Sequence, residues 1–142
     1  MVVVVAVTAL WFGGPPLYRW NVERTESASA ARLASSLGLP LTDDDTVVYA
    51  RYEGSFPDPS AYLVVDSTSA AHVDELRRDP AVGSCEAQPF TAPRDAPREY
   101  RPAPTARVRS CRIQMHGDGL LHIAWDPAAD DGRRTYVWAI KT

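Results

Sequence analysis

The chain has 142 residues, of which 45% are hydrophobic and 23% are charged, and its formal net charge at pH 7 is −3. This length and composition suit one globular domain with a single core. The charge balance lacks the excess of clustered basic residues that is typical of nucleic-acid-binding domains, so we exclude nucleic acid as a partner.

The N-terminal segment is an uncharged apolar run, residues 1–12, followed by the sequence GGPP, which breaks regular structure. A membrane-spanning helix needs about 20 apolar residues, so two interpretations stay open. Residues 1–14 are either the end of a truncated membrane anchor or a β-branched strand of the core. We favour the anchor because no strand follows at hairpin distance, and we take residues 15–24 as a linker to a single domain, residues 25–142. An anchor would place that domain outside the cytoplasm at the cell membrane; without it the chain would be cytoplasmic.

A first helix is predicted for residues 25–38. Small and apolar residues recur there three and four positions apart, which is typical of one buried helix face. These residues are Ala30, Leu33, Ala34 and Leu37. Thr25 or Ser27 can cap the start of the helix, and Gly38 suits the left-handed position after its end.

Two strands are predicted next, residues 46–53 and 61–66, joined by a connection rich in Gly, Pro and Asp. The alternation of strand side chains predicts one set that faces inward. This set is Val48, Ala50, Tyr52, Ala61, Leu63 and Val65. A second helix is capped by Thr68 or Ser69 and ends at Asp79, because the residue before a proline avoids the helical conformation.

A proline-rich loop, residues 86–106, follows and shows no apolar periodicity. Three strands close the chain, at residues 106–116, 120–126 and 135–141. The order of elements is α-β-β-α-β-β-β. It predicts an α+β fold, in which about five strands form a largely antiparallel sheet and both helices pack on one face.

The loop between the first two closing strands brings His116, Asp118 and His122 close together in sequence. We predict a three-residue turn at 117–119 that pairs His116 with Leu120 and leaves both histidines exposed on the polar face of the hairpin. The histidines and the aspartate could then bind a metal ion. Catalytic zinc sites, however, also need a cleft and oriented second ligands. Exposed histidines beside an ordinary turn are therefore the favoured interpretation, and a metal-dependent hydrolytic enzyme is the alternative.

Other polar residues suggest no site. We interpret His72 as a half-exposed packing residue of the second helix. The acidic residues 43–45 lack the ligand spacing of a calcium loop and are interpreted as a solvated turn.

The two cysteines are Cys85 and Cys111. An even number of cysteines suggests a disulfide bridge in an exported protein, whereas a cytosolic protein would hold two free buried thiols. We favour the bridge because it would enclose the proline-rich loop and tie both of its ends to the sheet.

The block from Leu37 to Leu76, "LGLPLTDDDTVVYARYEGSFPDPSAYLVVDSTSAAHVDEL", resembles a pattern in uncharacterised membrane-anchored or lipoprotein-like small α+β proteins of high-GC actinobacteria. In that pattern a helix ending in Leu-Pro leads to a hairpin and then to another helix. The resemblance covers less than a third of the chain. It implies an envelope location and an α+β fold, and it transfers no catalytic residue.

The sequence has no nucleophile elbow, phosphate loop, dinucleotide fingerprint or paired Cys-x-x-Cys. We therefore predict a non-enzymatic, extracytoplasmic binding module without a cofactor. Phe56, Phe90 and Tyr100 lie in proline-punctuated loops, where we expect them to be exposed. Because aromatic residues are enriched in interface cores, they are the candidate contacts to a protein partner at the cell envelope.

Overall fold

The computed structural model describes residues 24–54, 57–73, 89–104, 108–115, 119–128 and 130–142. Helix α1 spans residues 24–36, and helix α2 begins at residue 70 and is described through residue 73. The strands are β1 (Asp45–Glu53), β2 (Ser60–Ser67), β3 (Arg109–Met115), β4 (Gly119–Trp125) and β5 (Arg134–Ile140). The predicted anchor and most of the predicted linker lie outside the described residues.

The five strands form one antiparallel sheet in the order β1-β2-β5-β4-β3. The last strand of the chain therefore lies at the centre, between β2 and β4. The predicted α+β fold with a five-stranded antiparallel sheet is confirmed. Central strands are apolar on both faces: in β2, Leu63 and Val65 point to one side while Tyr62 and Val64 point to the other. This pattern is expected where both faces of a sheet are covered.

One face of the sheet packs against α1, and we call it the helix face. The four residues predicted to form the buried stripe of α1 all belong to the hydrophobic core on this face. They meet the sheet residues Ala61, Leu63, Val65, Cys111, Leu121, Ile123, Val137 and Ala139. Gly38, with φ of 91°, takes the left-handed conformation directly after the helix, as predicted. Residues 25 and 27 are already helical, so the prediction that one of them is the cap was wrong.

A β-bulge divides β1. The pairing with β2 shifts between Val47 and Tyr49, which leaves Val48 without a direct partner. Val47 and Ala50 consequently both pack on the helix face, whereas Val48 packs on the opposite face. The predicted inward set is correct except for Val48. A bulge inserts one residue and so reverses the alternation for the residues that follow.

The β3–β4 hairpin has a different register from the predicted one. Met115 pairs with Gly119 and Cys111 with Ile123, so the pairing is offset by two residues, and Cys111, Leu121 and Ile123 share one face as predicted. Gly119 belongs to β4 rather than to the turn. A Cβ atom there would lie 2.7 Å from Leu37 Cδ2 and would also clash with the carbonyl oxygen of Ile140. Glycine is needed mainly because the backbone of β5, unlike the flexible end of Leu37, cannot give way to a Cβ atom.

The opposite face of the sheet is covered by the proline-rich residues 89–104. We call this segment the strap and the face beneath it the strap face. The strap has one short 3-10 turn, Arg98–Tyr100. Its Ala96 is fully buried among apolar sheet side chains. The Arg101 side chain holds the strap in shape by donating to the carbonyl of Ala96 at 2.5 Å and to that of Arg94. The predicted loop is therefore a third layer of the fold.

Candidate functional site

An aromatic cluster joins the strap to the sheet. Tyr49 and Tyr100 stack at 4.7 Å between ring centroids, with 14° between ring planes. Tyr62 contacts Tyr49 edge-on and donates its hydroxyl to the carbonyl of Tyr100 at 2.6 Å. Burial, together with the neighbouring Tyr136 and Tyr49, raises the pKa of Tyr62 well above its usual range. The Tyr62 phenol therefore stays neutral and serves as a fixed hydrogen-bond donor.

Two of the predicted contact residues belong to this cluster. The rings of Phe90 and Tyr100 are partly buried against the strap face, so the expectation that both are exposed was wrong. The physical reason is the apolar second face of β2, β4 and β5, which the strap covers. That signal was present in the sequence, because strands such as 61–65 are apolar at every position. The third predicted residue, Phe56, lies outside the described residues.

His122 is also placed differently from its prediction. It is 8% exposed, and its ring lies 4.7 Å from that of Phe90. Its Nε2 atom has no hydrogen-bond partner among the described residues. Burial lowers the pKa of His122, and the Arg112 side chain opposite it on β3 lowers the pKa further. An imidazole in this position is neutral at pH 7.

This placement bears on the predicted metal site. His116 and Asp118 lie outside the described residues. Within the ranges that are described, no group of three or more His, Cys, Asp or Glu side chains could hold a metal ion. The described histidine of the predicted trio is covered by an aromatic ring instead of opening into a cleft. Its predicted exposure was therefore wrong, and the geometry of His122 does not support a hydrolytic site.

Cys111 lies on the helix face at 4% exposure. No described cysteine is free. The predicted partner, Cys85, lies outside the described residues, so the Cys85–Cys111 pairing stays a prediction.

A polar cluster lies where β1, β2 and α2 meet. The buried carboxylate of Asp45 accepts hydrogen bonds from Ser67 Oγ at 2.5 Å and from the Thr42 backbone N–H at 2.8 Å. His72 Nε2 lies 3.0 Å from the same carboxylate. The Ser69 hydroxyl accepts from the His72 N–H at 3.3 Å and so caps α2, as predicted. The interpretation of Asp45 as part of a solvated turn was wrong.

The hydrogen bonds of this polar cluster serve a structural role. Burial alone would raise the pKa of Asp45, but the hydrogen bonds from Ser67, Thr42 and His72 outweigh burial and lower it. Ser67 donates directly to the carboxylate, so the imidazole of His72 is not interposed between hydroxyl and acid as nucleophile activation requires. Asp45 instead ties two strands to the start of a helix.

The outer edge of β1 borders a groove of about 700 Å³. Its floor is formed by β1 residues 48–53, one wall by Glu26 and Ser27 of α1, and the other wall by Tyr100 of the strap. Among the described strands, none pairs with this edge of β1. Backbone N–H and C=O groups that point away from β2 therefore face the groove. Unpaired edge groups of this kind can bind an additional strand.

This groove could not be identified from the sequence. Its walls come from segments distant in sequence, and the β1 edge contributes backbone atoms, which leave no signal in the composition. Of the described helices, none is long and apolar enough to cross a membrane. Comparisons of the chain with protein families, curated proteins and solved structures gave no match.

Proposed function

We propose that this chain is an extracytoplasmic binding module that acts without catalysis and binds an extended peptide segment of a protein partner at the cell envelope. The observation that carries the proposal is the groove along the outer edge of β1, which pairs with no other strand in the described part of the chain. A peptide lying there would extend the sheet by one strand, with main-chain hydrogen bonds providing affinity and alternating side chains providing specificity.

The location is a further part of the proposal. It is supported by the apolar run at residues 1–12, by the even cysteine count and by the resemblance of the block Leu37–Leu76 to envelope proteins. In this proposal the apolar run associates with the membrane, and the domain operates on its outer side.

The walls of the groove favour particular side chains. On the strap side, the stacked rings of Tyr49 and Tyr100 offer an apolar surface. On the helix side, Glu26 has no ion-pair partner in the described part of the chain. The bulge at Val48 interrupts regular pairing, so strand addition is confined to residues 49–53. The preferred ligand is a short extended peptide with apolar side chains toward the strap and a basic side chain toward α1.

The test uses a synthetic peptide of alternating Val and Thr with one central Arg, titrated into the full chain. We expect micromolar binding and slower hydrogen exchange at β1 amides. The same peptide with alternate backbone nitrogens methylated should bind at least about tenfold more weakly, because it lacks the donors that pair with the strand. Tyr100→Ala should weaken binding by about 1–2 kcal/mol, the scale of an interface hot spot.

A charge reversal provides the matched control. Glu26→Lys should weaken binding of the Arg peptide and strengthen binding of a peptide with Glu in its place, whereas Asp43→Lys, an exposed acidic position outside the groove, should change neither. Equal binding of the methylated and unmethylated peptides would refute strand addition. Binding unaffected by both Glu26→Lys and Tyr100→Ala would refute the groove as the site.

A further inference from the structure

A second cavity, of about 240 Å³, opens on the strap face beside strap residues 93–95. Its floor includes the rings of Tyr62 and Trp138, and Pro93 forms part of one wall. These two floor residues are direct partners in the β2–β5 register. Their rings meet edge to face, with centroids 6.1 Å apart. The Tyr62 hydroxyl already donates a hydrogen bond to the strap, so the two rings offer an apolar surface, and Ser60 adds one hydroxyl group to the cavity.

The charged side chains at the rim of the cavity differ in whether they form an ion pair. The guanidinium of Arg51 pairs with Glu53 at 2.9 Å and with Asp95 of the strap. Both carboxylates of the rim are therefore engaged by one cation. Arg94 also lines the cavity, and it forms no ion pair with a described acidic residue. In the described part of the chain, the rim therefore offers the positive charge of Arg94 next to an aromatic floor.

We propose that this cavity binds a small carboxylic acid that carries a single apolar ring. The ring lies against Trp138, Tyr62 and Pro93, and the carboxylate accepts hydrogen bonds from Arg94, whose planar guanidinium suits a bidentate contact. The volume lies below the 300–1,000 Å³ of drug-sized sites, which limits the ligand to about one ring and its acid group. This cavity shares Arg51 and Glu53 with the β1 groove, but the four residues proposed to contact the ligand do not line that groove, so the proposal does not depend on peptide binding.

The probe is benzoate, titrated into the full chain by calorimetry and followed at the Trp138 indole N–H by NMR. Benzamide has the same ring without the charge, benzylamine carries the opposite charge, and methyl glucoside has a ring rich in hydroxyl groups. Benzoate should bind with a millimolar or lower dissociation constant and shift the Trp138 signal. Benzamide should bind at least tenfold more weakly, and benzylamine and methyl glucoside should not shift the signal.

Arg94→Gln separates the role of the charge from that of the ring. The side chain is exposed, so its removal leaves the strap packing in place. The variant should bind benzoate as weakly as benzamide and leave benzamide binding unchanged, while the control Arg98→Gln, an exposed strap arginine outside the cavity, should bind benzoate like the wild type. Equal benzoate binding by the Arg94→Gln variant, tighter binding of benzylamine or methyl glucoside, or no binding of benzoate would each overturn the proposal.

Discussion

At the scale of single residues, two buried polar side chains respond to pH in ways that their positions determine. Asp45 is charged and accepts several hydrogen bonds. Because folding lowers its pKa, Asp45 stabilises the fold at pH values above the usual titration range of carboxyl groups, and this stabilisation is lost in strong acid. His122 is neutral, and its Nε2 atom has no hydrogen-bond partner within the described ranges. Its lowered pKa means that unfolded chains take up a proton at a higher pH than folded ones do.

His122→Phe is predicted to abolish the loss of folding stability that the wild type shows at mildly acidic pH. An unfolded histidine titrates near pH 6.5, so the wild type should lose stability as pH falls from about 6.5 toward the lower folded pKa. The variant cannot bind that proton, and it also removes an unsatisfied buried nitrogen that costs about 1–3 kcal/mol. Denaturant unfolding at pH 7.5 and 5.5 measures both effects. A variant whose stability falls as steeply as that of the wild type between these pH values would show that His122 is not the titrating group.

At the scale of elements, the strap is held to the sheet by few directional contacts, and the Tyr62 hydroxyl is central among them. Tyr62→Phe should reduce the free energy of unfolding by about 0.5–1.5 kcal/mol, the usual contribution of one hydrogen bond. Hydrogen exchange should become faster at the amides of Ala96, Tyr100 and Arg101, which bond within the strap, and not in α1. Tyr52→Phe, on the helix face, is the control; faster exchange in both variants would contradict a specific attachment.

The elements differ in how far the sequence predicts them. The Ala and Leu spacing of α1 and the β-branched runs of β1 and β2 are local patterns, so these elements were predicted closely. The bulge at Val48 was not, because it depends on pairing with a partner strand. The strap was mistaken for an exposed loop because proline-rich segments have no periodicity. A usable signal lay elsewhere, in the uninterrupted apolar residues 61–65, which require cover on both faces.

The candidate sites were less predictable than the fold for the same physical reason. Phe90 and Tyr100 were selected as exposed because of their proline neighbours, yet their position is set by the sheet beneath them. The groove along β1 exists because no described strand follows it in the sheet, a property of topology. The sequence also does not distinguish Arg94 from Arg51, although among the described residues only Arg51 pairs with acidic side chains.

At the scale of the whole molecule, the predicted bridge between Cys85 and Cys111 would link the chain before the strap to the edge strand β3, on the helix face. It would close a ring of about 27 residues and stabilise the fold by about 3.5 kcal/mol on chain-entropy grounds. Intact mass after alkylation, with and without reductant, tests it in protein from an oxidising compartment. We expect no labelling before reduction and two labels after it. Labelling of both thiols without reduction would exclude the bridge and weaken the proposed extracytoplasmic location.

The central pairing of β2 with β5 has a consequence for how the chain acquires its structure. Asp66 pairs with Arg134 and Ser60 with Ile140, so the middle of the sheet forms only when residues 68 to 80 positions apart meet. The β1–β2 hairpin and the β3–β4–β5 meander can each form early, because their strands are close in sequence. Until the two halves join, the apolar strands β2 and β5 each expose the edge that pairs with the other. Joining these two halves is therefore the step at which we expect folding to be slow and the chain to be most prone to aggregation.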